Sequence, residues 1–182
     1  PLNCVVDIKD DGCEVWNGCQ MQTSDQFTVA TLLGLPPEKV TIHTLYAGGS
    51  FGRRASSTSD YVREATHIAK NLAASGNRVP VKLVWSREDD TQGGFYRPMY
   101  YHKVTAGLDQ KGRPVAWQHR IVGQSILKGT PFEMMIKDGV DQSSVEGVNN
   151  LPYQIPNLQV ELHSPEEVKV PVLWWRSVGS TH

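Results

Sequence analysis

The sequence predicts an α+β fold in which antiparallel or mixed sheets pack against helices, over a chain of 182 residues. Alternating apolar runs separated by glycine-bearing turns recur along the chain and predict β-hairpins. Two segments, near residues 24–33 and 59–74, carry apolar residues at three- and four-residue spacing, which predicts helices. Because no succession of βαβ units is present, a doubly wound parallel sheet is not expected.

The amino-acid composition argues against a disordered chain and against a nucleic-acid-binding protein. Hydrophobic residues make up 39% of the chain and charged residues 20%, which argues against disorder, and the formal net charge of −1 gives no basic surface for nucleic acid. No apolar run approaches the roughly 20 residues that cross a bilayer. Cys4, Cys13 and Cys19 lack C-x-x-C spacing, so we predict ordinary thiols and neither a disulfide framework nor a zinc site.

The first elements are a hairpin and a helix. Residues 5–8 and 14–16 are extended in pattern and flank a turn at residues 10–12, which predicts an antiparallel hairpin. A short helix follows, for which Ser24 or Asp25 is the predicted cap. Gly34 and the two prolines after it end this helix.

A loop with almost no side chains joins the next strand to the second helix. Residues 40–45 are β-branched and alternating, and the helix after the loop is predicted to have Ser59 or Asp60 as its cap and to run to about Ala74. Glycines between them permit positive φ, which lets a ligand approach main-chain N–H groups. The loop is therefore a candidate cradle for an anion or a cofactor, and a plain strand-to-helix turn is the alternative. Its spacing matches neither the dinucleotide fingerprint nor the phosphate loop.

Charge and hairpin signals mark the middle of the chain. Residues 79–85 alternate as a buried strand, and the charged cluster at 87–90 reads as a solvated strand end. The strongest hairpin signal joins residues 100–108 to residues 114–122. Two long antiparallel strands are expected there.

The last third of the chain is less regular. Glycines and a proline break the pattern across residues 124–150, so we expect a long connection here and a division of the chain into two lobes within it. Residues 158–163 and 168–175 are predicted as extended runs. The six histidines, His182 among them, sit singly in different elements, which favours core or surface roles over a metal cluster.

Gln20, in the motif Gly18-Cys19-Gln20, carries an amide that both donates and accepts. Taken by itself, the motif leaves two interpretations open: a cofactor contact, and the commoner loop amide that bonds to the backbone. For Arg53 and Arg54, salt bridges to Glu64 or to surface carboxylates are expected in preference to a role at a pyrophosphate.

Three separated motifs occur in one order: Gly18-Cys19-Gln20, then residues 48–54, then Trp175-Arg176-Ser177-Val178-Gly179. Together they resemble the molybdenum-cofactor-binding large subunit of the xanthine dehydrogenase and aldehyde oxidoreductase family. Further segments, at residues 1–4, 84–89 and 152–157, are similar to the branch of isoquinoline 1-oxidoreductase β subunits and related bacterial aldehyde dehydrogenases. The resemblance spans nearly the whole chain.

This resemblance implies a domain that holds molybdopterin cytosine dinucleotide. It places the Phe51 and Gly52 amides near the oxo or sulfido ligands of molybdenum, has Gln20 hydrogen-bond an oxo ligand, and gives the metal no direct protein ligand. A glutamate acting as general base is implied beyond His182, so no catalytic residue is expected within these residues, and this piece alone should be inactive. The cofactor-binding residues that the resemblance implies are Gln20, Gly48, Gly49, Ser50, Phe51, Gly52, Arg176, Ser177, Val178 and Gly179.

The resemblance also implies a reaction and its partners. The reaction is hydroxylation with water as the oxygen source, and the cofactor performs the chemistry while the protein orients it. Ala55 stands where xanthine-type members have a glutamate, so an N-heterocycle or an aldehyde is a better substrate expectation than a purine. The implied partners are an iron–sulfur electron-transfer subunit and the rest of the large subunit. We expect a soluble protein of the bacterial cytoplasm or periplasm, without a membrane segment or a nucleic-acid partner.

A non-catalytic α+β module that binds another protein is the alternative. Its binding surface would be formed by Phe95, Tyr96, Tyr100 and Tyr101, since exposed aromatic residues mark interfaces. The two functions differ in what they require of Gln20, the glycine loop and residues 176–179. The cofactor-binding function requires all three to converge in space.

Overall fold

The computed structural model describes residues 1–181, and His182 lies outside the described residues. The chain forms two compact units, the first unit (Pro1–Gly94) and the second unit (Phe95–His182). The boundary between the two units therefore does not fall inside residues 124–150, where we expected it, because that stretch lies wholly within the second unit. The boundary falls instead just after a short helix, at two consecutive glycines.

A four-stranded mixed sheet forms the centre of the first unit, with strand order β3-β2-β1-β4. β1 pairs antiparallel with both β2 and β4, which confirms the predicted hairpin. β2 and β3 are parallel, because a helix crosses between them. The strands are β1 (Asn3–Ile8), β2 (Cys13–Asn17), β3 (Val40–Thr44) and β4 (Val81–Val84).

Two helices, α1 (Gln22–Leu33) and α2 (Asp60–Ala74), pack on this sheet. α1 begins at Gln22 with Met21 in the cap position and no side-chain cap, so the predicted cap at Ser24 or Asp25 is wrong. Gly34 ends α1 in a left-handed conformation, φ 70°, as the sequence predicts. α2 is preceded by Ser59, whose side chain does not cap the helix.

The core of the first unit lies between the sheet and the helices. β1 and β2 each bury alternate residues, and α2 buries positions three and four residues apart, so both predicted periodicities hold. The buried apolar residues are Leu2, Cys4, Val6, Cys13, Val15, Val29, Ala30, Val40, Tyr61, Val62, Ala65 and Ala69.

The charged cluster after β4 forms a helix that we did not predict, α3 (Arg87–Gln92). The Ser86 side chain accepts from the Asp89 amide at 3.1 Å, and the Asp89 carboxylate accepts from the Ser86 amide at 2.9 Å. This reciprocal capping box satisfies two N-terminal donors and accounts for the helix. Arg87, Glu88 and Asp89 are exposed, so the solvated interpretation holds, but the cluster forms a helix and not a strand end because Asp89 acts as a cap.

A three-stranded mixed sheet forms the second unit, with β5 (Tyr100–Leu108) and β7 (Asn157–His163) on either side of β6 (Pro114–Gly123). The β5–β6 hairpin is antiparallel, as predicted, and β6 and β7 are parallel. The extended run predicted over residues 168–175 contributes only one isolated bridge, between Tyr96 and Val172. Mixed sheets with packed helices confirm the α+β class.

The irregular residues 124–150 cover one face of this second sheet. Ile121 from β6 is buried together with Val145 and Val148 from the irregular stretch. Tyr100 donates to, or accepts from, the Ser144 hydroxyl at 3.1 Å, which fixes the stretch against β5. The connection is thus part of the core of the second unit.

Two histidines that the sequence places apart lie together in this sheet. His102 Nδ1 and His119 Nε2 are 2.9 Å apart, because the β5–β6 hairpin brings their strands side by side. Burial, followed by the neighbouring His102, lowers the pKa of His119. The expectation of single histidines is therefore wrong for this pair. Within residues 1–181 no group of three or more potential metal-ligating side chains is present.

None of the described helices combines the length and the apolar character needed to cross a bilayer.

The cysteines give a prediction for the first unit. Cys4, Cys13 and Cys19 are free and buried, and burial raises the pKa of Cys4 to about 12 and that of Cys13 to about 11. Since the thiolate is the reactive form, we expect neither Cys4 nor Cys13 to be alkylated by iodoacetamide at pH 8 in the folded protein, and both to react fully in denaturant. Peptide mass mapping measures the labelling. Rapid labelling of Cys4 before unfolding would contradict the buried hairpin.

Candidate functional site

The parallel pairing of β2 and β3 brings the first two motifs to one edge of the sheet. Asn17, the last residue of β2, is paired with Thr44, the last residue of β3. The Leu45 amide donates to the Asn17 carbonyl at 2.8 Å, so the register continues one residue beyond the strands. The segment that contains Gln20 and the glycine loop (residues 45–59) therefore leave the sheet side by side. Ligands bind preferentially at the carboxyl edge of parallel strands.

The two segments touch at Gly18. A Cβ at this position would lie 2.9 Å from the Ala47 Cβ, so any side chain would push the segments apart. The Cys19 thiol lies 3.5 Å from the Thr44 hydroxyl, which ties the same stretch to the end of β3. Gln20 follows directly and is exposed, and its side chain makes no hydrogen bond within residues 1–181. The alternative of a backbone-bonded loop amide thus finds no support in the structure.

The glycine loop has the backbone conformation that the sequence predicts. Gly49 and Gly52 have φ of 110° and 91°, and Phe51 between them has φ of 53°, a left-handed value that is uncommon for a residue with a Cβ. A Cβ on Gly49 would lie 2.6 Å from the ring of Phe51, so the ring folds back over this glycine. Only glycine fits at position 49.

Several main-chain donors of the loop have no protein acceptor. The turn is closed by the Arg53 amide, which donates to the Ser50 carbonyl at 2.9 Å. By contrast, the amides of Gly48, Gly49 and Gly52 donate no hydrogen bond within the described part of the chain. Unpaired main-chain N–H groups in such turns form anion-binding concavities. The loop thus presents several unpaired main-chain N–H groups from a turn that is closed by its own hydrogen bond.

Arginine side chains hold this loop against α2. The Arg53 guanidinium is 6% exposed and pairs with Asp60, in the first turn of α2, at 2.6 Å. Glu64, the carboxylate expected as its partner, instead accepts a hydrogen bond from the Trp85 indole at 2.8 Å. Arg53 thus pairs with a carboxylate as predicted, but with a different one. Asp60 is one helical turn closer to the loop.

The third motif lies in the second unit, just after its last extended residues. Ser177 and Val178 have φ of 71° and 46°, and a β-branched residue such as Val178 adopts this conformation only under strain. The Arg176 carbonyl accepts a hydrogen bond from the Arg97 guanidinium at 2.8 Å, which fixes the turn. Strain of this kind is concentrated at ligand-binding and catalytic sites.

Gly179 has a packing explanation of its own. A Cβ on this residue would lie 1.8 Å from the Ser143 carbonyl oxygen and 2.9 Å from the Glu146 Cβ. The last turn therefore sits directly on the irregular stretch that covers the second sheet. The adjoining cleft, lined in part by Trp175 and Val178, has a volume of about 10 Å³, which holds no more than a water molecule.

Sequence reasoning missed a buried polar group behind the first two motifs. The Asn17 side-chain amide donates to the Asp25 carboxylate and to the Tyr61 hydroxyl, each at 3.2 Å. The sequence offers one signal for it. Asn17 occupies the inward position that Cys13 and Val15 occupy earlier in β2, where an apolar residue is expected.

A family model described as the molybdopterin cofactor-binding domain matches residues 1–182. The chain belongs to the molybdopterin cofactor-binding domain family. The resemblance carried by the three motifs is thereby confirmed at the level of the family. The roles of individual residues toward the cofactor stay predictions.

Relatives of this molybdopterin-binding domain are longer proteins. The β subunit of isoquinoline 1-oxidoreductase from Brevundimonas diminuta is 29% identical over 182 residues, which cover 98% of this chain and 22% of that protein. The membrane-bound aldehyde dehydrogenase (pyrroloquinoline-quinone) from Gluconacetobacter polyoxogenes is 30% identical over 141 residues, which cover 78% of this chain and 17% of that protein. The domain thus spans about a fifth of the curated relatives it matches.

The fold has a counterpart among solved structures. Quinoline 2-oxidoreductase from Pseudomonas putida 86 aligns with a TM-score of 0.69 at 20% identity, covering 98% of this chain and 22% of that one. The likeness shows a common fold. The residues of the first unit fit a molybdopterin cofactor, because the glycine loop presents unpaired main-chain donors and Gln20 presents an unpaired amide at the same edge of the sheet.

The packing of Gly179 gives a prediction for the second unit. Gly179→Ala should lower the free energy of unfolding by about 3 kcal/mol or more, because the added methyl group meets a carbonyl oxygen at 1.8 Å. Gly129→Ala is the control: its φ is 74° but nothing lies within 4 Å, so it should cost only the left-handed strain of about 1–2 kcal/mol. Denaturant unfolding of both variants measures the difference. Equal losses would contradict the packing explanation.

Proposed function

We propose that this domain holds the molybdopterin cofactor of a molybdenum hydroxylase, and that the whole protein oxidises N-heterocycles or aldehydes with water as the oxygen source. One observation carries the proposal: the amides of Gly48, Gly49 and Gly52 and the side chain of Gln20 lie along one sheet edge and have no hydrogen-bond partner among residues 1–181. Donors that are at least partly exposed and not used within the protein are available to a ligand, and ligands bind preferentially at such an edge.

In this proposal the protein supplies position and fixed dipoles. The Gly52 amide, with that of Phe51, would donate toward the oxygen or sulfur ligands of the metal, and the Gln20 amide would donate toward an oxygen ligand. When bound, the cofactor supplies the oxidation chemistry. Donors that are fixed before the substrate arrives need no reorganisation during the reaction, which is why such groups contribute strongly to rate.

The third motif would add a second contact to the cofactor. We propose that residues 176–179 of the second unit touch the pterin. The strained backbone at Ser177 and Val178 supports a binding role. The 10 Å³ cleft beside the turn is too small for a pterin, so the contact would be made by the outer surface of the turn. The cytosine dinucleotide form of the cofactor is part of this proposal.

The substrate class rests on the apolar character around the loop. Leu45, Tyr46 and Phe51 are exposed by 51%, 108% and 52%, which surrounds the unpaired donors with apolar surface. Ala55 offers no carboxylate that could pair with the polar edge of a purine. The names of the two curated relatives, an isoquinoline oxidoreductase and an aldehyde dehydrogenase, agree with an apolar heterocycle or an aldehyde.

Electron transfer and proton transfer would need further parts of the protein. The three cysteines are part of no group of three or more potential metal ligands within residues 1–181, so they do not form the cysteine sets that iron–sulfur clusters need. We therefore propose a partner subunit that carries those clusters. The general base is a glutamate that we expect beyond His182.

The alternative function is a protein-interaction module, and the aromatic residues expected to form its binding surface do not lie together. Tyr100 and Tyr101 are neighbours in β5 and so point to opposite faces of the sheet. Tyr100 is bonded to Ser144 under the irregular stretch, whereas Tyr101 is 65% exposed on the other face. These aromatics do not form the single patch that a partner would need.

Two substitutions test the proposed function. Gln20→Ala should lower the turnover rate about 10²–10³-fold, the usual cost of removing one preorganised donor. Gly52→Val should be worse and should lower the molybdenum content too, because a β-branched side chain at φ 91° opposes the backbone and intrudes on the ligand. Metal analysis and steady-state rates are measured on the intact protein, purified with its partner subunits.

Gly76→Val is the matched control, because Gly76 has φ of 89° and no atom within 4 Å of its added Cβ. It should carry the same backbone strain as Gly52→Val and keep both molybdenum and activity. If Gln20→Ala and Gly52→Val retain molybdenum and turn over at the parent rate, the loop and the glutamine are not at the cofactor. A protein that contains pyrroloquinoline quinone and no molybdenum would overturn the proposed function altogether.

A further inference from the structure

Asn17 is a buried polar residue in a place where the hydrophobic core would accept an apolar one. It is 1% exposed and faces the same side of the sheet as Cys13 and Val15. Its Oδ1 atom is buried without a hydrogen-bond partner in the described part of the chain. Burial therefore costs this residue one unsatisfied atom, and the asparagine is explained by what its Nδ2 atom contacts and not by packing.

The contacts of Asn17 connect both ends of the segment that carries Gln20. Asn17 itself ends β2, at the start of that segment. Its Nδ2 atom donates to the Asp25 carboxylate, in the first turn of α1, at 3.2 Å. Asp25 is 3% exposed and its amide donates to the Met21 carbonyl, so this turn of α1 is fixed in place. One side chain therefore joins the strand before Gln20 to the helix after it.

The same residue connects both ends of the glycine loop. Its carbonyl accepts from the Leu45 amide at 2.8 Å, at the point where the loop leaves β3. Its Nδ2 atom also donates to the Tyr61 hydroxyl at 3.2 Å, in the first turn of α2, where the loop ends. The Arg54 guanidinium, from within the loop, lies 5.7 Å from the centre of the Tyr61 ring.

The geometry points to Asn17 as a positioning residue that fixes Gln20 and the glycine loop relative to one another. This inference rests on the proposed function, in which those two groups bind one cofactor. Asn17 does not touch the cofactor in this account. It acts through the four flanks of the two segments: the ends of β2 and β3 and the first turns of α1 and α2.

Hydrogen exchange in the intact protein, purified with its partner subunits, tests this inference without relying on activity. Asn17→Leu removes the amide and keeps the branched shape and the number of side-chain heavy atoms. We expect amide exchange to become about tenfold faster in residues 18–21 and 45–59, because the buried groups lose their shared donor, with little change in the β1–β4 pairing. Molybdenum content per protein should fall in the same variant. Mass spectrometry of peptides and metal analysis measure the two effects.

Thr66→Val is the matched control, since Thr66 is fully buried in α2 and its hydroxyl donates to the Val62 carbonyl at 2.7 Å, within the same helix. It should lower the global stability without selective exchange in the two segments. Tyr61→Phe, which keeps the ring and removes one acceptor of the Asn17 amide, should give a smaller effect of the same kind, confined to residues 45–59. If Asn17→Leu does not fold, Tyr61→Phe tests the inference in its place.

The outcomes separate this inference from the proposed function. Selective exchange together with lost molybdenum supports the inference. Exchange in the two segments no faster than in Thr66→Val overturns it. Molybdenum retained in Asn17→Leu but lost in Gly52→Val also overturns it and leaves the proposed function standing. Molybdenum retained in both variants contradicts the assignment of the glycine loop to the cofactor, on which this inference rests.

Discussion

The candidate site depends on the parallel pairing of β2 with β3. An antiparallel hairpin would send the ends of the two strands in opposite directions, whereas a parallel pair needs a crossover and brings both carboxyl ends to one edge. α1 is that crossover, and its first turn contains Asp25. The Asn17–Thr44 register then sets how far Gln20 stands from the glycine loop. A slip of one residue would turn Asn17 away from the core and break its contacts with both helices.

Burial and strain are distributed so that the loop stays open to a ligand. Phe51 holds a left-handed backbone, and Arg53 is nearly buried against Asp60, so the turn is anchored from behind by an ion pair and by its own closing hydrogen bond. Left-handed non-glycine residues cost of order 1–3 kcal/mol each and persist only when the surrounding structure fixes them. The ion pair that anchors the loop lies on its α2 side, whereas the unpaired amides belong to the turn itself. That separation suits a site in which backbone donors bind the ligand.

The parts of the fold that local sequence determines were predictable, and the parts that rest on distant contacts were not. The β5–β6 hairpin and the stop at Gly34 follow from turn chemistry within a few residues. The parallel partner of β2, the boundary after Gly94 and the His102–His119 contact depend on pairing between segments that local patterns do not specify. α3 was local but was missed, because a reciprocal cap between Ser86 and Asp89 was taken for surface charge.

The residues of the glycine loop predicted a candidate cradle by themselves, the resemblance to a family selected Gln20, and the structure supplies the physical reason why the two lie side by side. A structure of the molybdenum-loaded protein is the most direct measurement of the central claim. The account predicts that the Gly52 amide and the Gln20 side chain each lie within hydrogen-bond distance, roughly 3 Å, of oxygen or sulfur atoms of the cofactor. A cofactor bound elsewhere, with these two groups paired to protein atoms, would contradict it.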